Sequence, residues 1–140
     1  MSKSRRSLRK TKPTRPTDAE LEILRVLWSL GPSTVREVHE VITAGEKQTT
    51  FNTTLKMLHI MFDKSLVTRQ DVRRPHVYQP AIPESQMQQQ LVSDLLERAF
   101  GGAARKLVAA LTATDISDEE LADIRRFLNE HGERSDEHAD

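Results

Sequence analysis

TVREVHEVITAGEKQTTFNTTLKMLHIMFDK, residues 34–64, holds two helical patterns separated by a few residues without periodicity. The first opens on Thr34-Val35-Arg36-Glu37. This is a capping box, in which the Thr hydroxyl and the Glu carboxylate each satisfy an amide the helix leaves orphaned. Val35, Val38, Val41 and Ile42 then share its buried face, and Gly45 is the expected C-terminal cap. The second pattern covers residues 50–64. It sets Phe51, Thr54, Leu55, Leu58, Met61 and Phe62 on one side at i, i+3, i+4, i+7 spacing. The other side carries Asn52, Thr53, Lys56 and His59, with no acid until Asp63. Two short helices with a brief connection, the second leaving a polar face uncovered, are the parts of a helix-turn-helix.

The sequence on either side completes a winged version. Upstream, Thr17-Asp18-Ala19-Glu20 is a second capping box, followed by Leu21, Leu24, Leu27 and Trp28 on one stripe and the stop signal Gly31-Pro32. Downstream, two β-prone runs, residues 66–70 and 76–79, flank Asp71-Val72-Arg73-Arg74-Pro75 and predict a hairpin with a basic tip. Pro80 and Pro83 break the pattern.

After them the chain is helical. Met87, Leu91, Leu95 and Phe100 form the stripe of a helix over residues 83–100, widened by Val92 and Leu96 and ended by Gly101-Gly102. A helix over residues 103–113 shows Leu107, Val108 and Leu111. The last opens on a third capping box, Ser117-Asp118-Glu119-Glu120, uses Leu121, Ile124, Phe127 and Leu128, and gives way to a polar tail after Asn129. The fold class expected is mainly α with a small β-hairpin. Its parts are a flexible basic arm (1–16), a winged helix-turn-helix (17–81), a C-terminal helical domain (82–130) and a polar tail (131–140).

Charge follows the same division. The formal net charge is zero. Residues 1–80 nevertheless hold fifteen Lys and Arg against eight Asp and Glu, a surplus of seven positive charges, and residues 81–140 hold six against thirteen, the mirror deficit. The first half suits a polyanion and the second would repel one. Seven of the basic residues lie in residues 1–16 with no acid among them, a composition that does not fold alone and that adds salt-sensitive phosphate contacts.

The DNA chemistry expected of the exposed residues is specific. Asn52 has the two-point geometry for adenine, Thr53 suits a thymine methyl or a phosphate, and Lys56 suits guanine O6/N7 or a phosphate. Gln48, Thr49 and Thr50 stand at the start of the reading helix, where free amides and hydroxyls meet a phosphate. Arg73 and Arg74 at the hairpin tip reach the backbone or the adjacent minor groove.

These residues are similar to the BlaI/MecI/CopY family of penicillinase-repressor-like transcriptional regulators. The resemblance runs over about residues 16–130. It is carried by Pro16-Thr17-Asp18-Ala19-Glu20-Leu21, Val26-Leu27-Trp28, Gly31-Pro32-Ser33-Thr34-Val35-Arg36-Glu37-Val38, Phe51-Asn52-Thr53-Thr54-Leu55-Lys56, Lys64-Ser65-Leu66-Val67-Thr68-Arg69, His76-Val77-Tyr78-Gln79-Pro80 and Phe100-Gly101-Gly102. It implies a repressor acting as a homodimer on a pseudo-palindromic operator. Leu91, Leu95, Phe100, Leu107, Leu111, Ile124 and Leu128 would then be buried between the C-terminal helices of the two copies. It also implies, for some members, inactivation by cleavage in the C-terminal half, through a membrane-bound sensor peptidase or a partner it activates. Three departures stand out. Ser65 replaces the usual Gly before the first wing strand, which predicts an altered turn. His59 and Ile60 replace a polar residue and an Arg. Gly102-Ala103-Ala104-Arg105 does not match the usual cleaved bond, so proteolytic induction is not assumed.

Other chemistry is poorly supported. Cysteine is absent, which removes disulfides and thiolate sites together. Ser7-Leu8-Arg9-Lys10 spells an S-x-x-K motif in a tail with no scaffold to activate Ser7. The acids of residues 118–120 are ordinary partners of a helix N-terminus, and the five histidines show no ligand spacing. No nucleophile, base and orienter converge, so the chain is not read as an enzyme, and no cofactor or metal is expected. No apolar run nears the ~20 residues that span a bilayer, and a cytoplasmic place is expected. The partners expected are double-stranded DNA and a second copy of the chain. The rival readings are a winged-helix protein–protein adaptor, and a ligand-responsive regulator with an effector pocket in its C-terminal half.

Overall fold

Two of the three expected capping boxes close reciprocally, those of Thr17 and Thr34, while Ser117 makes only its own half of the exchange. The Thr17 amide donates to Glu20 Oε1 (2.9 Å) and the Glu20 amide to Thr17 Oγ1 (3.2 Å). Thr34 and Glu37 repeat the exchange at 2.9 and 3.2 Å. The computed structural model describes residues 15–45 and 47–139, with residues 133–139 as backbone only. Apart from Arg15 and Pro16, the basic arm lies outside the described residues. In chain order the elements are α1 (Asp18–Leu30), α2 (Val35–Ala44), α3 (Phe51–Asp63), β1 (Val67–Gln70), β2 (Val77–Pro80), α4 (Glu84–Phe100), α5 (Ala104–Thr112) and α6 (Asp118–Ala139). This is the mainly helical winged architecture that the sequence predicts.

Gly31 ends α1 at φ 85°, a region open to glycine, with its amide bonded to Leu27 O at 2.8 Å. The chain then does something the sequence does not announce. Ser33 pairs with Tyr78 in an antiparallel bridge, amide to carbonyl in both directions (2.9 and 2.8 Å). The hairpin is thereby fastened to the start of α2. Its own strands pair antiparallel with Val67 opposite Pro80 and Gln70 opposite Val77.

The turn from α3 into β1 is a Schellman motif. Leu66 N–H bonds Met61 O (2.9 Å), Ser65 N–H bonds Phe62 O (3.0 Å), and Leu66 and Met61 are both fully buried. Ser65 takes the position that favours Gly, and its φ is +65°. The altered turn expected there is not what the backbone shows: serine adopts the left-handed conformation itself. A side chain in that region is strained by about 1 kcal/mol. Ser65→Gly is therefore expected to raise stability by about 0.5–1 kcal/mol, read as a higher urea midpoint at unchanged slope. An equal or lower midpoint would refute it.

The core gathers Ile23, Leu24 and Leu27 of α1, Val38 and Ile42 of α2, Leu58 and Met61 of α3, then Leu66, Val67, Tyr78 and Met87. Two expected core residues lie elsewhere: Val41 and Phe51 are 43% and 40% exposed. A period-3.6 stripe is wider than the strip that small helices bury, and these residues stand on its edges.

Met87 changes the domain reading. It is 2% exposed within this core, Leu91 packs against the same core, and Trp28 Nε1 donates to Ile82 O at 3.0 Å. The chain divides into two compact units between Leu91 and Val92, rather than at the boundary after residue 81 that the prolines suggest. Leu91, expected between two copies, packs half-buried against the core of the first unit. The physical reason is that the open side of α1 takes up the first turns of α4.

In the second unit none of residues 92–132 is buried. Phe100, Leu107 and Ile124 are half-buried, and Leu95, Leu111 and Leu128 are exposed. Ser117 Oγ accepts from the Glu120 amide at 3.1 Å to start α6. That helix runs to Ala139, through the segment expected to be a polar tail. Residues after Asn129 carry no apolar period, so pattern reading stops there. They are nonetheless rich in helix formers, which extend a helix already nucleated.

Candidate nucleic-acid interface

α3 is held at its first turn. Thr50 caps α3 by accepting from the Thr53 amide (3.1 Å), and the two hydroxyls lie 2.9 Å apart. Thr54, fully buried, meets His39 Nδ1 of α2 through its hydroxyl at 3.0 Å. Phe51 sits edge-on to His39, ring centres 5.7 Å apart, with Arg36 over its face at 5.9 Å. These contacts set the angle between α2 and α3, the two helices of the turn motif, across residues 45–50. They also explain the exposure of Phe51. It works as a clasp between helices, and an aromatic residue can bury one face while the other stays wet.

With Thr54, Leu58 and Met61 turned inward, the outward face of α3 presents Asn52, Thr53 and Lys56, all exposed. Gln48 and Thr50 are exposed beside them and Thr49 is half-buried. The Thr50 and Thr53 hydroxyls spend part of their bonding on the cap and are less free than Asn52 and Lys56. Electrostatics favours an anion here. The first turn of α3 holds no acidic residue, whereas α1, α2 and α6 each carry acid in theirs. The positive end of this helix dipole is left unneutralised by its own sequence.

The wing supplies more charge. Arg73 and Arg74 are exposed at the tip, and among the described residues neither is in an ion pair, nor is Lys56. Arg69 behaves differently. Its guanidinium bonds Asp71 (Nε to Oδ1, 2.5 Å) and stacks on Phe62 at 4.3 Å. The Asp71 hydrogen bond is the main cause that raises its pKa and, reciprocally, lowers that of Asp71. Arg69 therefore braces the wing, while Arg73 and Arg74 are left facing solvent.

Beneath this surface lies a pair that sequence reasoning missed. Lys64 Nζ donates to both Glu20 oxygens, at 2.8 and 2.9 Å, and the Glu20 side chain is only 6% exposed. Burial alone pushes the Glu20 carboxyl upward; the Lys64 bond and charge together with the Thr17 bonds outweigh it and leave the pKa lowered. The pair joins the start of α1 to the end of α3. Its partners are 44 residues apart, and a capping-box Glu gives no local sign of a second role.

The penicillinase repressor family profile matches residues 16–130. The chain is 30% identical over 124 residues to the penicillinase repressor of Bacillus licheniformis, covering 86% of this chain and 94% of that one. Among solved structures it is similar to the Bacillus licheniformis BlaI monomeric form in complex with the blaP half-operator, at 28% identity over 53% of this chain and 89% of that chain, TM-score 0.46. It is also similar to a MarR family protein from Bacillus stearothermophilus, at 18% identity over 94% and 84%, TM-score 0.47. With its family profile spanning most of the sequence, the chain belongs to the penicillinase repressor family of DNA-binding transcriptional repressors, which are not enzymes.

Proposed function

We propose that the protein represses transcription as a homodimer. Each copy lays α3 in a major groove of a two-fold-related half-site and sets its wing against the flanking backbone. The observation that carries the reading is the unpaired positive surface around α3: exposed Asn52, Thr53 and Lys56, a first turn without acid, and Arg73 and Arg74 at the wing tip. Gln48, Thr49 and Thr50 take phosphate contacts at the helix start. Dimerisation is supported by the apolar side chains that the second unit leaves uncovered, Leu95, Leu111 and Leu128 with Val92, Val108 and Phe127. Phe100, Leu107 and Ile124, half-buried, are proposed to join them at the interface. Among the described residues no helix is long and apolar enough to cross a membrane. Cleavage by a sensor peptidase is no part of this reading, because Gly102-Ala103-Ala104-Arg105 lacks the expected bond.

Selection of bound sites from a random duplex pool tests the whole reading. The expected product is a two-fold symmetric consensus with half-sites about one helical turn apart, or a multiple of it. An asymmetric consensus would overturn the dimer. The absence of salt-sensitive attachment to any duplex would overturn DNA binding and favour the adaptor reading. Within this frame, Lys56→Ala is expected to weaken binding at every sequence tested if the ammonium meets a phosphate, with a loss of about one unit from the slope of log K against log salt. Loss of preference at a single base pair would instead assign Lys56 to guanine. No change in affinity or slope would remove it from the interface.

A further inference from the structure

A cleft of about 300 Å³ opens beside the reading helix, walled by three separate elements. Thr34, Val35 and Arg36 come from the start of α2. Phe51, Leu55 and His59 come from the flank of α3 next to its outward face. Pro75, His76 and Tyr78 come from the wing. The lining has a marked bias: one guanidinium and two imidazoles, a mostly apolar remainder, and no carboxylate. Two nearby acids, Glu37 and Asp71, are engaged. Glu37 Oε1 accepts from the Thr34 amide at 2.9 Å, and Asp71 holds Arg69, with one oxygen 3.8 Å from His76 Nδ1. Among the described residues Arg36 has no ion pair, only its contact with the Phe51 ring.

We infer that this cleft is an effector site for a small amphipathic anion: a compact, flat apolar body carrying a carboxylate. Phe51, Val35, Leu55 and Pro75 offer the apolar walls, and Arg36 offers the forked donor that a carboxylate prefers over a single point charge. The position gives such a ligand a consequence. Its walls are the two helices and the wing whose relative placement the DNA reading requires, so an occupant favours one spacing of wing and α3 over others. A ligand that binds the free protein better than the DNA-bound protein weakens DNA binding by the same factor that DNA weakens the ligand. This inference rests on the proposed DNA binding for its consequence, but not for the site itself.

The test uses the full chain with 1-naphthoate as probe, and neutral 1-naphthylmethanol and inorganic phosphate beside it. In a titration followed by amide NMR, 1-naphthoate is expected to shift the amides of Arg36, Leu55, His59 and His76, with half-saturation on the order of 1 mM for so small a ligand. The neutral alcohol and phosphate are expected to bind at least about ten-fold more weakly. Arg36→Gln should cut naphthoate affinity about ten-fold, and Leu55→Trp, which fills the cleft as an occupant would, should abolish the shifts and by itself lower duplex affinity several-fold. In wild type, saturating naphthoate should lower duplex affinity several-fold, and in Leu55→Trp it should not. Phosphate binding as well as naphthoate would overturn the inference, making the cleft a seat for the DNA backbone. So would shifts spread evenly over the protein, or none at all. Normal duplex binding with no naphthoate shifts would sink the effector site alone; failure to bind any duplex would sink the proposed function.

Discussion

Leu95→Asp is expected to sediment as a monomer at tens of micromolar and to lose about 10²- to 10⁴-fold in affinity for a two-half-site duplex. Leu95 is 47% exposed in α4, and the second unit buries none of residues 92–132. Such uncovered apolar side chains suit the second copy proposed above. A carboxylate at this position would have to be desolvated in a dimer, at a cost of several kcal/mol. In the free monomer it would remain in water at almost no cost. The affinity loss follows from linkage: two joined readers bind the second half-site at high effective concentration, and separated ones do not. Trp28 provides the control. Its indole bonds Ile82 O in the first unit, so its emission should be unchanged if the winged unit stays folded. A Leu95→Asp protein that remains dimeric would dismiss this face as the interface. A monomer that binds the full site as tightly as wild type would dismiss dimerisation as the source of affinity.

Glu20→Gln is expected to lower the stability of the winged unit by about 3 kcal/mol, because it strands the Lys64 ammonium in a site built for a carboxylate. Lys64 is 28% exposed, which keeps the cost toward the low end of the range for buried pairs. Against a total of about 5–10 kcal/mol for a unit of this size, such a loss moves the urea midpoint clearly. The pH dependence has a defined sign. Glu20 titrates lower in the folded protein than its ordinary value near 4.5. Its contribution is therefore complete above that value and is lost as pH falls through the lower folded value. Wild type and Glu20→Gln should differ most at neutral pH, and the gap should close as the pH falls through the lowered folded value. A gap that does not change with pH over the whole acid limb would show that the carboxylate charge is not what the site uses.

Local chemistry made much of the fold readable. Thr17 with Glu20, and Thr34 with Glu37, act within one turn of chain, so their pattern survives any tertiary context. The bare first turn of α3 and the doubled arginine of the wing tip are likewise written in consecutive residues, which is why the candidate interface could be proposed residue by residue. The family resemblance added order and spacing to signals that are individually weak.

What pattern alone missed are the places where distant segments compete for one another. Leu91 belongs to a stripe that serves two cores, and nothing in its spacing says that the first turns of α4 pack on the winged unit. Phe51 scores as core by period, yet the neighbours that would cover it are Arg36 and His39, which clasp it at the surface. Ser65 takes a glycine's backbone conformation because buried Leu66 and Met61 impose the turn on it.

The sequence by itself determined where helices start and stop, which side of each is apolar, and where positive charge gathers, because these depend on residues a few positions apart. Tertiary structure alone decided the Glu20–Lys64 pair, the Ser33–Tyr78 bridge, the burial of Met87 and the cleft beside α3. Each of those requires the chain to return to itself across tens of residues, and the geometry of that return depends on the packing of all the elements together.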